Sequence, residues 1–172
     1  MKLETIKNIL NFIRLKEDKE IPQKWYEAFP KQKFIISIKN HPDNVVYKHE
    51  NDLDLSYSNV KKLPNKLHVV GDLSLSGCEE LEVLPDDLYV RGVLDLFGTS
   101  IKKLPDDLYV GSDLFVDDCT ELTEIPRNLY VGGDFAFGYT QLAKENTDEE
   151  IRQIVASTGG IIKGKLIRTF DY

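Results

Sequence analysis

A parallel-sheet solenoid of the α/β class, closed by a cap at each end, is the fold this sequence predicts. Three observations predict it. Hydrophobic pairs recur at Leu53/Leu55, Leu73/Leu75, Leu94/Leu96, Leu114/Val116 and Phe135/Phe137, in steps of 20, 21, 20 and 21 residues. A period of this size marks supersecondary units that bury their apolar face only by stacking on one another. Each pair alternates with polar residues, so one side of every strand faces a core and the other faces water. Leu63, Leu84, Leu104 and Ile125 each precede a proline, which lacks an N–H and fixes φ, and so marks a corner between strands.

Residues 1–50 read as an N-terminal helical and strand cap. Leu3, Ile6, Ile9, Leu10 and Ile13 make one helical stripe. A second short helix begins at Pro22, with Trp25, Tyr26 and Phe29 as its bulk, and ends at Pro30. The β-branched run Lys33–Asn40 predicts a strand. Pro42-Asp43-Asn44-Val45 mimics Pro64-Asn65-Lys66-Leu67, so Val45 and Tyr47 read as a half-repeat feeding the array. The cap covers the raw end that a solenoid exposes; Trp25, Tyr26 and Phe29 are also candidates for a binding patch.

Residues 51–145 make about five coils. A further hydrophobe follows the opening one by seven residues at Val60, Ile101 and Leu142, and by eight at Leu81 and Leu122. That inserted residue explains the alternating step. Gly71, Gly92, Gly111, Gly132 and Gly133 let the chain bend before the next strand. Cys78 and Cys119 hold the same slot two coils apart, about 9–10 Å at the spacing of parallel strands. A disulfide needs about 7 Å or less, so both are expected as free thiols of a reducing compartment. Residues 146–172 read as a C-terminal cap. Thr147 and Glu150 form a capping box, Ile151, Ile154 and Val155 give a helix its stripe, Gly159-Gly160 ends it, and one or two strands follow.

The copy Leu94-x-Leu96-x-x-Thr99-x-Ile101-x-x-Leu104-Pro105-x-x-Leu108 resembles the leucine-rich repeat family. The slot where that family usually has Asn holds Ser58, Cys78, Thr99, Cys119 and Thr140. The short Leu-Pro repeats of bacterial and phage proteins are the most similar in form. The resemblance covers about residues 51–145. It implies a right-handed solenoid with a parallel β-sheet, few or no convex helices, and a curved binding scaffold without catalysis. Some secreted bacterial effectors of this type carry a ligase domain after the repeats; none is expected in the 27 residues given after Glu145.

Charge is unevenly placed. Residues 1–50 carry 10 Lys/Arg against 7 Asp/Glu, residues 51–145 carry 8 against 18, and residues 146–172 carry 4 against 4. The array holds the acidity, which disfavours nucleic acid and anionic membranes as direct partners. No apolar run reaches the roughly 18 residues of a membrane span, and the N-terminus lacks the form of a signal peptide. A cytoplasmic protein is expected, in a host cytoplasm if phage-encoded. The three histidines have no partner at metal or triad spacing, and both cysteines take core-facing slots. No enzyme activity, cofactor or metal is expected.

Three columns of residues face outward from the strands: Asp52, Asp72, Val93, Asp113, Asp134; then Asp54, Ser74, Asp95, Phe115, Ala136; then Ser56, Ser76, Phe97, Asp117, Gly138. Phe97 and Phe115 interrupt the acidic field in adjacent copies. Apolar clusters on a wet face mark interaction sites, although cross-strand packing alone also accounts for such a pair. The expected site is Asp54, Asp72, Asp95, Phe97, Asp113, Phe115, Asp117 and Asp134, binding a basic protein. One alternative is an inhibitor that mimics a nucleic-acid backbone. Another is a glycan-binding module using the column His68, Tyr89, Tyr109, Tyr130, whose rings register would stack on a different flank. A sugar hydrolase using two of the Asp residues would need a cleft, which a flat strand face does not supply.

Overall fold

The computed structural model describes Lys31, Phe34, Ile35, Ile38, Pro42 and residues 44–168. The chain divides into two compact units, Met1–Ile36 and Ser37–Tyr172. The expected helices at residues 3–15 and 22–30, with Trp25, Tyr26 and Phe29, lie outside the described residues. The strand expected over Lys33–Asn40 is corrected: Phe34, Ile35 and Ile38 are helical, as is Lys31. β-branched composition is a weak guide because strand preference depends on the surface packed against.

The solenoid consists of two six-stranded parallel sheets. The first contains β1 (Tyr47–His49), β3 (Leu67–Val69), β5 (Tyr89–Val90), β7 (Tyr109–Val110), β9 (Tyr130–Val131) and β11 (Ile161–Ile162). The second contains β2 (Leu53–Asp54), β4 (Leu73–Ser74), β6 (Leu94–Asp95), β8 (Leu114–Phe115), β10 (Phe135–Ala136) and β12 (Leu166–Ile167). Each coil adds one strand to each sheet, so strands of successive coils are neighbours throughout. The two strand sets register coil on coil, Leu53 on Leu73, Leu94 on Leu114, and Val69 on Val90. Tyr47–His49 joins the first sheet as a half-repeat, but the expected alignment of Val45 with Leu67 is corrected by two residues: Tyr47 pairs with Leu67, and Val45 is exposed.

The core lies between the sheets. Leu55, Leu75, Leu96 and Val116 from one side and Val69, Val90, Val110 and Val131 from the other have no exposed surface. Val60, Leu81, Ile101, Leu122 and Leu142 are also buried, so the seven- and eight-residue spacings reach the same layer. The longer coils absorb their extra residue in a turn, with Leu81 N–H donating to Cys78 O at 3.1 Å and Leu122 N–H to Cys119 O at 3.0 Å. Both thiols are free and buried. Each donates to a carbonyl of the preceding coil, Leu55 or Leu96, at 3.1 Å. Burial pushes the Cys119 thiol up, away from the nucleophilic thiolate.

The repeating unit of side-chain contacts is two coils long. Ser58 meets Cys78 and Thr99 meets Cys119 at 3.7 and 3.3 Å. Lys61 pairs with Glu80 at 2.6 Å and Lys102 with Glu121 at 3.1 Å. These ion pairs are exposed and screened, so they favour register more than stability.

The array ends in α1 (Gln141–Glu145) and α2 (Asp148–Ser157), followed by β11 and β12. Thr140 caps α1, a helix not anticipated by the repeat pattern. Thr147 and Glu150 close the expected capping box on α2, and Ile151 and Val155 bury its stripe. Arg168 ties these pieces together. Its guanidinium pairs with Asp148, donates to Ala143 O and Asn146 O at 2.6 Å, and lies 5.0 Å from the Phe137 ring centre.

Candidate functional site

The first acidic column is a ladder between coils. Asp72 N–H donates to Asp52 Oδ1 at 2.9 Å, Val93 N–H to Asp72 at 2.8 Å, Asp134 N–H to Asp113 at 2.7 Å and Lys165 N–H to Asp134 at 2.7 Å. The preceding glycine makes room for each carboxylate. A Cβ on Gly71, Gly92, Gly133 or Gly164 would lie 2.0–2.2 Å from that oxygen. None of these four glycines has positive φ, so close approach rather than backbone freedom requires them. Val93 stands where the neighbouring coils have Asp, and on the coil that follows it Ser112 stands where they have glycine.

The other predicted carboxylates are also engaged. Asp54 accepts from the Ser56 N–H and hydroxyl at 2.9 and 2.6 Å. Asp95 accepts from Phe97 N–H at 3.0 Å and from the Ser74 hydroxyl at 3.4 Å. Asp117 is only 3% exposed. Its Oδ1 accepts from Gly138 N–H at 2.8 Å, and its Oδ2 has no partner. Burial, aided by Asp95, pushes its carboxyl up against the pull of the Gly138 and Asp117 N–H groups. The folded state therefore holds this proton more tightly than the unfolded chain. That contribution to stability is complete below the ordinary Asp value and is lost as pH rises through the raised folded value. Asp117→Asn is expected to raise neutral-pH stability by on the order of 1 kcal/mol, with the gain shrinking on acidification. Thermal unfolding of both proteins across pH checks this; a constant gap would mean that Asp117 does not titrate differently on folding.

Seven of the eight predicted residues keep exposed surface along the outer side of the second sheet; Asp117 is corrected, since it is buried there and is not a surface contact. Phe115 pairs in register with Asp95, and the next-column neighbour of Phe97 is Asp117. The two rings therefore sit on adjacent coils, one column apart. Phe97 is 37% exposed and Phe115 half-buried.

The tyrosine column lies on the outer face of the first sheet. Tyr89 and Tyr109 stack with centres 4.6 Å apart and planes 6° from parallel, and Tyr109 and Tyr130 at 4.8 Å and 1°. His68 tilts against Tyr89, and Lys163 Nζ lies 5.2 Å from the Tyr130 ring centre. Desolvation, with both neighbouring phenols adding to it, pushes the Tyr109 phenol up. The inner ring faces cover one another, so the ladder presents edges and hydroxyls rather than the faces on which a sugar would stack.

A corner that the sequence reading missed runs along the far end of the second-sheet strands. Tyr57, Gly77, Gly98, Asp118 and Tyr139 all have φ between 53° and 65°. This left-handed region suits glycine and costs other residues about 1–2 kcal/mol each. The signal lay in the position after the third column, where glycine recurs but tyrosine stands at both ends. Tyr57 and Tyr139 are 79% and 66% exposed. A Cβ on Gly77 would lie 2.5 Å from two ring carbons of Tyr57, so that ring lies across Gly77.

The proline corner carries a groove of about 510 Å³ that includes Val83, Leu104, Pro105 and Pro126. Lys103–Glu124 and Arg127–Asp106 pairs, both 2.5 Å, cross it. The Arg127 side chain, with its N–H, holds the Asp106 carboxyl below the ordinary range. Among the described residues no helix is long and apolar enough to cross a membrane, and no cluster of His, Cys, Asp or Glu has the arrangement of a metal site. No protein family matches the chain, and no curated protein or solved structure matches it.

Proposed function

We propose that the protein is a non-catalytic recognition module, built from repeats of the leucine-rich type, that binds a basic protein through the outer face of its second sheet. The observation that carries this reading is Phe97. The ladder explains why the aspartates are there, but folding offers no reason for a phenylalanine 37% exposed within them. The carboxylates of Asp54, Asp72, Asp95, Asp113 and Asp134 accept backbone hydrogen bonds and place an acidic field around an apolar anchor. Free, buried Cys78 and Cys119 support a reducing compartment as the working environment.

The test is affinity capture from bacterial cytosol with the wild type and Phe97→Ala/Phe115→Ala side by side. The expected result is loss of the captured partner with circular dichroism and Tm near wild type. Asp95 is unsuitable for this purpose because its carboxylate holds Phe97 N–H. Undiminished capture by the double variant removes this face as the site. Capture that instead collapses steeply with salt and competes with nucleic acid supports backbone mimicry over the apolar anchor.

A further inference from the structure

We propose that the left-handed corner beside the second sheet reads an extended, proline-rich, basic peptide in the polyproline II form. The proposal rests on the reading of the protein as a recognition module and specifies its ligand.

Tyr57 and Tyr139 stand exposed on this corner four coils apart, and on the coil midway between them the exposed Phe97 stands one position before the corner glycine, Gly98. The turn itself does not ask for tyrosine there, although the Tyr57 ring also lies across Gly77. Gly77 and Gly98 make the same turn without strain, whereas Tyr57 and Tyr139 hold φ of 53° and 60° with their rings largely in solvent. A bulky side chain kept in a left-handed position and left exposed is the pattern expected where recognition, not stability, selects the residue.

The spacing selects the ligand. An unbroken backbone ladder sets the corner in register, from Tyr57 N–H to Ser76 O, Gly77 N–H to Phe97 O, Gly98 N–H to Asp117 O and Asp118 N–H to Gly138 O, all 2.8–3.0 Å. Two parallel-strand steps are about 9.6 Å. A polyproline II helix rises about 3.1 Å per residue with three residues per turn, so one turn is about 9.3 Å. A peptide lying along the stacking direction therefore brings the same face of its helix to each aromatic in turn. Prolines pack on exposed aromatic rings at little entropic cost because the helix is already formed.

Charge selects the composition. The segments 54–60, 74–81, 95–101, 115–122 and 136–143, which make the corner and its shoulders, contain no Lys or Arg. Asp118 and Glu79 lie exposed on the corner between the aromatics. A ligand with Arg or Lys at one position per turn meets them, and a neutral sugar does not use them.

The experiment is fluorescence anisotropy of the full chain with a labelled Pro-Pro-Arg repeat peptide. A Gly-Ser-Arg repeat of equal length and charge is the control, and cellohexaose the competitor. The proline peptide is expected to bind about tenfold or more tighter than the control, and Tyr57→Gly and Tyr139→Gly each to weaken it several-fold. Both variants replace strained residues with glycine, so Tm is expected to stay level or rise. Equal binding of the two peptides, binding indifferent to both tyrosines, or binding of cellohexaose without preference for proline overturns the proposal. If the peptide fails while Phe97→Ala/Phe115→Ala still abolishes partner capture, the corner assignment falls and the recognition reading stands. If neither binds, both fall.

Discussion

Gly92→Ser is expected to destabilise the protein by about 2–4 kcal/mol, and Asp72→Val in the same chain to restore part of that loss. A Cβ at Gly92 would lie 2.1 Å from Asp72 Oδ1 and 2.8 Å from Gly71 O. Either the carboxylate moves away and leaves Val93 N–H without its acceptor, or the coils separate locally. The protein already contains the compensated pair. Val93 offers no carboxylate to the next coil, and Ser112 there keeps its Cβ while its N–H still donates to Gly92 O at 3.2 Å. Asp and Gly on successive coils are therefore one device, replaceable only together. A double-mutant cycle by denaturant unfolding reads the coupling, expected at about 1 kcal/mol or more. Additive losses would mean that the glycine is required by the backbone alone.

Arg168→Ala is expected to cost about 2–4 kcal/mol, lowering Tm by roughly 5–15 °C. The guanidinium donates to Ala143 O and Asn146 O at 2.6 Å, carbonyls at the end of α1, and pairs with Asp148 at the start of α2. It also covers the Phe137 ring, which stacks on Phe135 at 4.9 Å in the last coil of the array. Arg168→Lys is expected to recover little, because an ammonium cannot reach three divergent acceptors as a planar fork does. Hydrogen exchange should show the loss first in β12 and α1. Wild-type stability in the Lys variant would assign the site to charge alone.

Much of this fold is legible in the residues because a repeat prints its own register. The steps of 20 and 21, the inward leucines, the stacked tyrosines, the free thiols and the Thr147–Glu150 box all follow from position along a chain that stacks on itself. The first sheet leaves its own trace in the alternation Leu67/Val69, Leu88/Val90, Leu108/Val110 and Leu129/Val131. That trace is faint because each strand is only two or three residues long. The segment from Phe34 to Ile38 misled because composition without strict alternation does not separate helix from strand.

The candidate site was less legible. Alternation along a strand tells which side a residue faces, and by that rule Asp52, Asp72, Asp113 and Asp134 are simply an acidic surface. Whether a carboxylate is spent on the protein or left for a partner depends on the N–H of the next coil, about 20 residues away. Tyr57 and Tyr139 look like ordinary turn residues until their φ is known. The order of residues alone sets the period, the inner layer of the core and the sign of the field. Which outward groups the fold consumes is settled by stacking, because hydrogen bonds between coils and the hand of the corner exist only once the coils lie on one another.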